Sequence, residues 1–234
     1  MLLHRPDVVN GAVALLDAEG LDAITMRKLG AALNVQAGAL YRHFPSKEAL
    51  LDAIAERLLA GVADDLPEAS WSDQLLVLAD RLRAALLAHR DGARVVTGTY
   101  VNGPNTLTAG QAAVEVLCAA GLTPEQAGWL TFAMFYYVLG HTVEEQALAQ
   151  LPPGDDWRNR LAHSETELSP RFVQALDSVT GVDPARRFAY GMRIFLNGIR
   201  HELAPVPDAS RPPSNGRSER KRGSVRSSDR LGAE

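Results

Sequence analysis

Residues 25–47 read TMRKLGAALNVQAGALYRHFPSK, and this stretch decides the fold of the N-terminal part of the chain. Thr25 has the chemistry of an N-cap, so the apolar spacing after it predicts a short helix over residues 25–33. A two-residue break separates this helix from a second one predicted over residues 36–43, and the proline at position 45 ends it. Two short helices joined by a tight break form the helix-turn-helix arrangement.

The charges in this stretch differ from those of the whole chain. The chain holds 24 Lys and Arg against 28 Asp and Glu, a net charge of −4, which argues against a wholly basic nucleic-acid coat protein. Residues 23–47 contain no acidic residue and four basic ones, namely Arg27, Lys28, Arg42 and Lys47. The alternative, a packed element with a solvated basic face, explains each residue singly. The combination with the helix-break-helix spacing favours a surface that binds DNA.

Helical spacing dominates on both sides of this stretch, and period-two alternation is nearly absent. One helix is predicted before it, over residues 6–19, and another after it, capped by Ser46 and running to about residue 58. Longer helices are predicted over 72–89, 106–120 and 124–150, with two more starting near 169 and 183. The chain is therefore predicted to be all-α, with three parts: a helix-turn-helix domain over 1–60, a larger helical domain over 61–203 and a tail over 204–234.

Composition limits the class of protein further. The single cysteine, Cys118, excludes an intramolecular disulfide and a Cys-cluster zinc site. The most apolar stretch, residues 129–140, is too short to span a bilayer, and the N-terminus lacks a long apolar segment. We therefore expect a soluble protein of a reducing cytoplasm, with no membrane partner. The tail has four prolines and seven Lys and Arg against four Asp and Glu, which predicts a disordered, mildly basic segment.

The segment AITMRKLGAALNVQAGALYRHFPSKEALLDAI, residues 23–54, resembles the DNA-binding domain of the tetracycline-repressor (TetR) family of bacterial regulators. The resemblance implies that residues 36–43 form the recognition helix and that the protein is a homodimer on double-stranded DNA. Arg27 would approach a base edge, whereas Tyr41, His43 and Lys47 would mainly contact phosphate. The positions that match the DNA contacts of the family are Thr25, Met26, Arg27, Ala37, Gly38, Ala39, Tyr41, Arg42, His43 and Lys47.

Three later segments resemble the ligand-binding core of the tetracycline-repressor class within this family. They are ALLAHRDGARVVTGT (85–99), VLCAAGLTPEQA (116–127) and VLGHTVEEQ (138–146). The resemblance implies an all-helical core whose dimer interface is built from the helices near 124–148 and 184–203. It also implies that a small molecule occupies the core and acts as an inducer.

The aromatic residues of the predicted helix 124–150 favour a binding pocket. Trp129, Phe132 and Tyr136 recur at helical spacing on one face, and Glu144 continues that face. Such a stripe is also typical of a core or a dimer seam, and this alternative remains open. Apolar rings mixed with a few polar groups are the usual composition of a small-molecule site.

The chain departs from the magnesium-dependent drug site that the resemblance would imply. The metal-binding histidine of the tetracycline-repressor class falls at Val96, and the residues that grip the drug fall at Leu78 and Leu82. Valine offers no ligand to a hard cation, so we predict no metal and no cofactor. A larger apolar ligand, such as an aromatic polyketide or a related antibiotic, fits better. The predicted ligand-binding residues are Leu78, Leu82, Val96, Thr99, Tyr100, Trp129, Phe132, Tyr136 and Glu144.

Three function classes follow from these patterns. The first is a transcriptional repressor that a ligand releases from a palindromic operator, controlling an efflux or resistance gene. The second is an activator, or a regulator that answers to a partner protein, with the same DNA-binding domain. The third is an enzyme with a helical fold, and the absence of a catalytic constellation argues against it. The triplet His89-Arg90-Asp91 lacks the context of a kinase, and His141 with its neighbouring glutamates lacks further metal ligands.

Overall fold

Within residues 3–99, 103–152 and 166–204, which the computed structural model describes, every regular element is a helix. The N-terminal part comprises a short 3-10 turn (Leu21–Ala23) and the helices α1 (Arg5–Glu19), α2 (Met26–Ala32), α3 (Ala37–Leu40) and α4 (Lys47–Leu58). The larger part comprises α5 (Trp71–Leu87), α6 (Gly92–Thr97), α7 (Pro104–Ala119), α8 (Pro124–Ala149), α9 (Pro170–Thr180) and α10 (Pro184–Leu203). The all-α prediction is confirmed for the described residues.

Several helices begin where the sequence places a capping hydroxyl. The side-chain oxygens of Thr25 and Ser46 each accept the backbone N–H three residues later, at 3.2 Å. Thr123 and Ser169 cap α8 and α9 in the same way, at 3.3 Å. A cap of this kind contributes about 1 kcal/mol by satisfying an otherwise unpaired N–H group. The predicted starts of these four helices are therefore confirmed.

The predicted recognition helix is shorter than expected. α3 covers only Ala37–Leu40, and residues 41–43 continue as a turn in which the N–H of Phe44 donates to the carbonyl of Leu40 at 3.0 Å. Leu40 and Phe44 are both fully buried, so this turn is held by packing at its two ends. Helix α6 is too short for its periodicity to be recognised, and α7 begins at Pro104, two residues earlier than predicted.

The break between α2 and α3 depends on two residues with unusual geometry. Asn34 has a φ of 53°, and the N–H of Val35 donates to the carbonyl of Gly30 at 2.8 Å. A Cβ atom at Gly30 would lie 2.9 Å from the backbone carbonyl oxygen of Val35, so a larger residue would push the break away from α2. Glycine is therefore required for the tight crossing of the two helices.

Helix α4 joins the two parts of the fold because it packs on both. It contacts α1 on the N-terminal side and α6 and α7 of the larger part. One cluster of buried apolar side chains runs from Val8 to Ile199, and residues up to Leu203 form one compact unit. Because this core continues across residue 60, it does not mark a boundary at that position. The division into two domains there remains a prediction.

Two further points concern the limits of the described chain. The predicted tail lies outside the described residues, apart from Ala204. None of the described helices has an apolar segment long enough to cross a membrane.

Candidate nucleic-acid interface and ligand cavity

The helix-turn-helix presents most of its predicted DNA-contacting residues at the surface. Tyr41 is 52% exposed, and a Cβ atom at Gly38 would meet no other atom within 4 Å, so the backbone of α3 is open to a large partner. Thr25, Arg27 and Arg42 are exposed as well. The half-buried members of the set are Ala37, Ala39, His43 and Lys47.

Met26 differs from the rest of the predicted set because its side chain belongs to the core. Only 7% of the residue is exposed, and it packs within the same cluster as Leu29 and Leu40. Its spacing from Leu29 already placed it on the apolar face of α2, a signal that the family resemblance outweighed. We call the exposed side of the helix-turn-helix the reading surface. The side chain of Met26 packs beneath this surface and is not presented to DNA.

Arg5 is a residue of this surface that the sequence reasoning missed. Its Nη1 donates to the backbone carbonyl of His43 at 3.0 Å, and its guanidinium carbon lies 4.2 Å from the centre of the Phe44 ring. Both contacts hold the chain at the end of the recognition helix. Lys28, by contrast, forms an exposed ion pair with Glu19 at 2.7 Å, which partly offsets its charge.

A cavity of about 610 Å³ lies in the larger part of the fold. Five of the predicted ligand-binding residues line it: Leu78, Leu82, Val96, Thr99 and Phe132. Other lining residues were not predicted from the sequence. They come from the end of α4, from α7 and from a second stripe of α8, which only the fold brings together. They include Leu59, Val62, Thr106, Leu107, Gln111, Thr131, Met134 and Phe135.

Three predicted ligand-binding residues do not line this cavity. Trp129 and Tyr136 are 66% and 65% exposed, and Glu144 is exposed on the same outward side of α8. Helix α10 adds two more exposed apolar residues, Tyr190 and Ile194. The apolar residues of α8 form two stripes, and periodicity alone does not tell which one faces inward. Phe132 belongs to the same stripe as Trp129 and Tyr136 and is 60% exposed, yet it also lines the cavity. Tyr100, the remaining predicted residue, lies outside the described residues.

The polar groups of the cavity are few, and none of its lining residues fits a metal. Among the described residues, the lining contains no His, Asp, Glu or Cys, so these residues offer a divalent cation no charged or imidazole ligand. The hydroxyl of Thr99 donates to the carbonyl of Val96 at 3.1 Å. The hydroxyl oxygen of Thr131 is shielded from solvent and has no hydrogen-bond partner among the described residues. This composition suits a mainly apolar ligand with one or two polar groups.

The candidate metal pair on α8 is occupied by other contacts. Glu145 accepts two hydrogen bonds from Arg83, at 2.6 and 3.0 Å, so its carboxylate is already neutralised. His141 lies 3.6 Å from Glu145 and packs beside the rings of Tyr137 and Phe188. Burial lowers the pKa of His141 below its usual value. No group of three or more possible metal ligands occurs in the part of the chain that the structure describes.

A polar joint connects the end of α1 to the start of α6. Asp91 is buried, and its carboxylate accepts the N–H of Leu21 at 2.9 Å and the side-chain amide of Gln150 at 3.1 Å. Although burial opposes the charge, these hydrogen bonds lower the pKa of Asp91. Asp17 adds a contact to the ring nitrogen of His89 at 3.0 Å. The helix-turn-helix is thus tied to the larger part at the edge of α6, the helix that carries Val96 into the cavity.

A helix-turn-helix surface and an apolar cavity within one all-α chain define the class of transcription regulators that carry their own ligand domain. Residues 8–54 match the family described as bacterial regulatory proteins of the tetR family, and residues 63–203 match the Tetracyclin repressor-like C-terminal domain. The chain therefore belongs to the TetR family of DNA-binding transcription regulators, as the resemblance predicted.

Individual relatives support the same assignment along most of the chain. The class A tetracycline repressor of transposon 1721 from Escherichia coli is 35% identical over 213 residues, which cover 90% of this chain and 96% of the relative. A possible TetR family regulator from Streptomyces coelicolor A3(2), a solved structure, is 40% identical, with a TM-score of 0.78. The match covers 85% of this chain and 100% of that structure. A TetR variant from Acinetobacter baumannii AYE, solved with minocycline, is 32% identical, with a TM-score of 0.66 and coverage of 87% and 99%.

Proposed function

We propose that this chain is a dimeric repressor that a small, largely apolar ligand releases from a palindromic operator. The observation that carries the proposal is the position of α4. The helix begins at Lys47, shortly after the turn at residues 41–43, which we call the recognition turn. The residues that follow its end, Leu59 and Val62, line the cavity. A helix of 12 residues is about 18 Å long, so one short rigid element joins the reading surface to the cavity.

The mechanism follows from the rigidity of that element. A ligand that enters the cavity displaces the residues around Leu59 and Val96, and α4 transmits the displacement to α3. In a dimer, two recognition helices fit successive major grooves only when they are about 34 Å apart. A change in this separation therefore weakens operator binding, and by reciprocity DNA weakens ligand binding by the same factor.

The exposed apolar face of α8 and α10 supports the dimer. Trp129, Tyr136, Tyr190 and Ile194 are each more than half exposed, and large apolar patches of this kind mark interaction sites. We propose that this face is covered by the same face of a second copy. Trp129, Tyr136 and Glu144, which do not line the cavity of their own chain, are assigned to this interface, and a ligand role for them remains a prediction.

The proposed ligand is an aromatic polyketide or a related antibiotic, bound without a metal. The cavity is large enough for a drug-sized molecule, and those lining residues that the structure describes offer a cation no charged or imidazole ligand. The proposed target is an efflux or resistance gene. Because an operator-binding regulator must reach the chromosome, we place the protein in the cytoplasm, and we propose no cofactor and no catalytic activity.

Selection of duplexes from a randomised DNA pool tests the DNA-binding part. We expect the wild type to enrich a palindrome, and Arg27→Ala to relax the preference at one base pair with a loss of about 1–3 kcal/mol. Arg171→Ala, a change at an exposed arginine on α9, is the control and should leave selection unchanged. Unchanged selection by both Arg27→Ala and Tyr41→Ala, with the fold intact, would contradict the proposal.

A gel-shift titration on the selected duplex tests release. Minocycline and aromatic polyketides are the probes, each with EDTA and with added magnesium. We expect release to be the same in both conditions, and Leu82→Phe, which reduces the cavity, to raise the concentration required. A strict magnesium requirement would overturn the metal-free site. A reporter that is activated by the bound protein would favour the activator alternative.

A further inference from the structure

Helix α7 is capped by a side chain of another helix. Its own N-cap is Gly103, which has no side chain to offer, and the next residue, Pro104, has no N–H. The carboxylate of Glu56, on α4, takes the place of the missing cap. It accepts the N–H of Asn105 and, at 3.3 and 3.0 Å, the N–H and the hydroxyl of Thr106.

The backbone of α4 takes part in the same contact. The side-chain amide of Asn105 donates to the carbonyl of Glu56 at 3.0 Å, so both the side chain and the backbone of Glu56 accept hydrogen bonds from the first turn of α7. A Cβ atom at Gly103 would lie 2.5 Å from the carboxyl carbon of Glu56. Only a glycine at this position lets the carboxylate approach the first turn of α7, where a negative charge is favoured by the helix dipole.

The same turn of α7 forms part of the cavity. Thr106, whose hydroxyl donates to Glu56, lines the cavity together with Leu107, and α7 continues along it to Val114. A ligand that displaces Thr106 must therefore either carry Glu56 with it or break its hydrogen bonds. In the first case α4, which leads to the recognition helix, moves with Glu56, and in the second α4 loses a contact that holds it against α7.

We propose that Glu56 is the positioning residue that couples the cavity to the reading surface. The proposal rests on the proposed function, because it assumes that DNA and a ligand bind the same chain. It assigns the coupling to the contact between Glu56 of α4 and Asn105 of α7, which lie 49 residues apart in the sequence. Because coupling is reciprocal, DNA bound to the reading surface must alter the cavity side of α7 through the same carboxylate.

Hydrogen exchange of the full-length protein, with and without the duplex selected by the wild type, tests this assignment. The readout is the segment of α7 over residues 107–114, whose amide groups do not bond to Glu56. In the wild type we expect DNA to change exchange there. In Glu56→Ala the change should disappear although the duplex still binds, and in Glu56→Gln, which keeps one acceptor oxygen, it should be reduced.

The matched control is Asp52→Asn, which neutralises an exposed carboxylate one turn earlier on α4. It should behave as the wild type does. If Glu56→Ala does not fold, Glu56→Gln provides the comparison. A full DNA-dependent change in the Glu56 variants, or no change in the wild type when DNA binds, would overturn the proposal. Failure of the wild type to bind any duplex would instead overturn the proposed function, and this proposal with it.

Discussion

Replacing Arg5 with alanine should weaken operator binding, because Arg5 holds the turn at the end of α3 in place. The contacts by which it does so lie within the protein. The change removes the hydrogen bond to the His43 carbonyl, worth about 0.5–1.5 kcal/mol for a solvent-exposed partner. It also removes the contact with the Phe44 ring, worth about 0.5–1 kcal/mol at an exposed site. The recognition turn is therefore less well held, by about 1–2.5 kcal/mol in total. If all of this appears in DNA binding, the affinity falls roughly 5- to 70-fold.

The salt dependence of binding distinguishes this positioning role from a phosphate contact. A side chain that neutralises one phosphate contributes about 0.9 to the slope of log K against log salt. Arg5→Ala should leave that slope unchanged, whereas Lys47→Ala should reduce it by about 0.9. Arg5→Lys keeps the charge but loses the planar group that stacks on Phe44, and it should restore little of the affinity.

Fluorescence anisotropy titrations of the selected duplex, from 50 to 200 mM salt, measure both quantities. The reasoning would be refuted by a slope that falls by about 0.9 in Arg5→Ala together with full affinity in Arg5→Lys. That result would place the arginine on a phosphate.

Three further predictions follow from burial and from the sequence of the tail. Met26→Ala should lower the free energy of unfolding by about 2–5 kcal/mol, whereas Met26→Leu should cost less than about 1.5 kcal/mol, and in urea titrations equal effects of the two would argue against a core role. Because burial lowers the pKa of His141, the native state stays neutral while the unfolded chain gains a proton below about pH 6.5, so stability should fall as the pH decreases through that value. His141→Phe should fall less steeply between pH 7 and pH 5.5, as measured by urea midpoints, and parallel curves would contradict this. Deletion of residues 204–234 should leave the melting temperature unchanged in a thermal-shift assay, since the sequence of this segment lacks apolar periodicity, and a clear decrease would show that the segment packs.

The described lining of the cavity supports the proposal that this chain binds its ligand without magnesium. Where the resemblance would place a metal-binding histidine, Val96 lines the cavity and is 3% exposed. Leu78 and Leu82 extend the same apolar wall from α5. No described residue of the lining is charged, so the proposed specificity for a ligand rests on shape and on a few hydroxyl and amide groups.

Local signals in the sequence were sufficient for the class of fold and for the helix-turn-helix. The caps at Thr25, Ser46, Thr123 and Ser169 involve groups three residues apart, so the sequence itself contains both partners. The acid-free charge of residues 23–47 and the break between α2 and α3 are equally local. These features predicted the all-α fold and the helix-turn-helix, and the resemblance of residues 23–54 predicted the family correctly.

Contacts between distant residues were decided only by the tertiary structure. Arg5 reaches His43 across 38 positions, and Glu56 caps α7 across 49. Neither pair has a spacing that periodicity detects. The tertiary structure also decided which side of α8 faces inward. Phe135 and Met134 line the cavity and Trp129 is exposed, because α5 and α7 pack against one side of α8. Helical spacing determines which side chains share a face, but only the neighbouring helices determine what that face contacts.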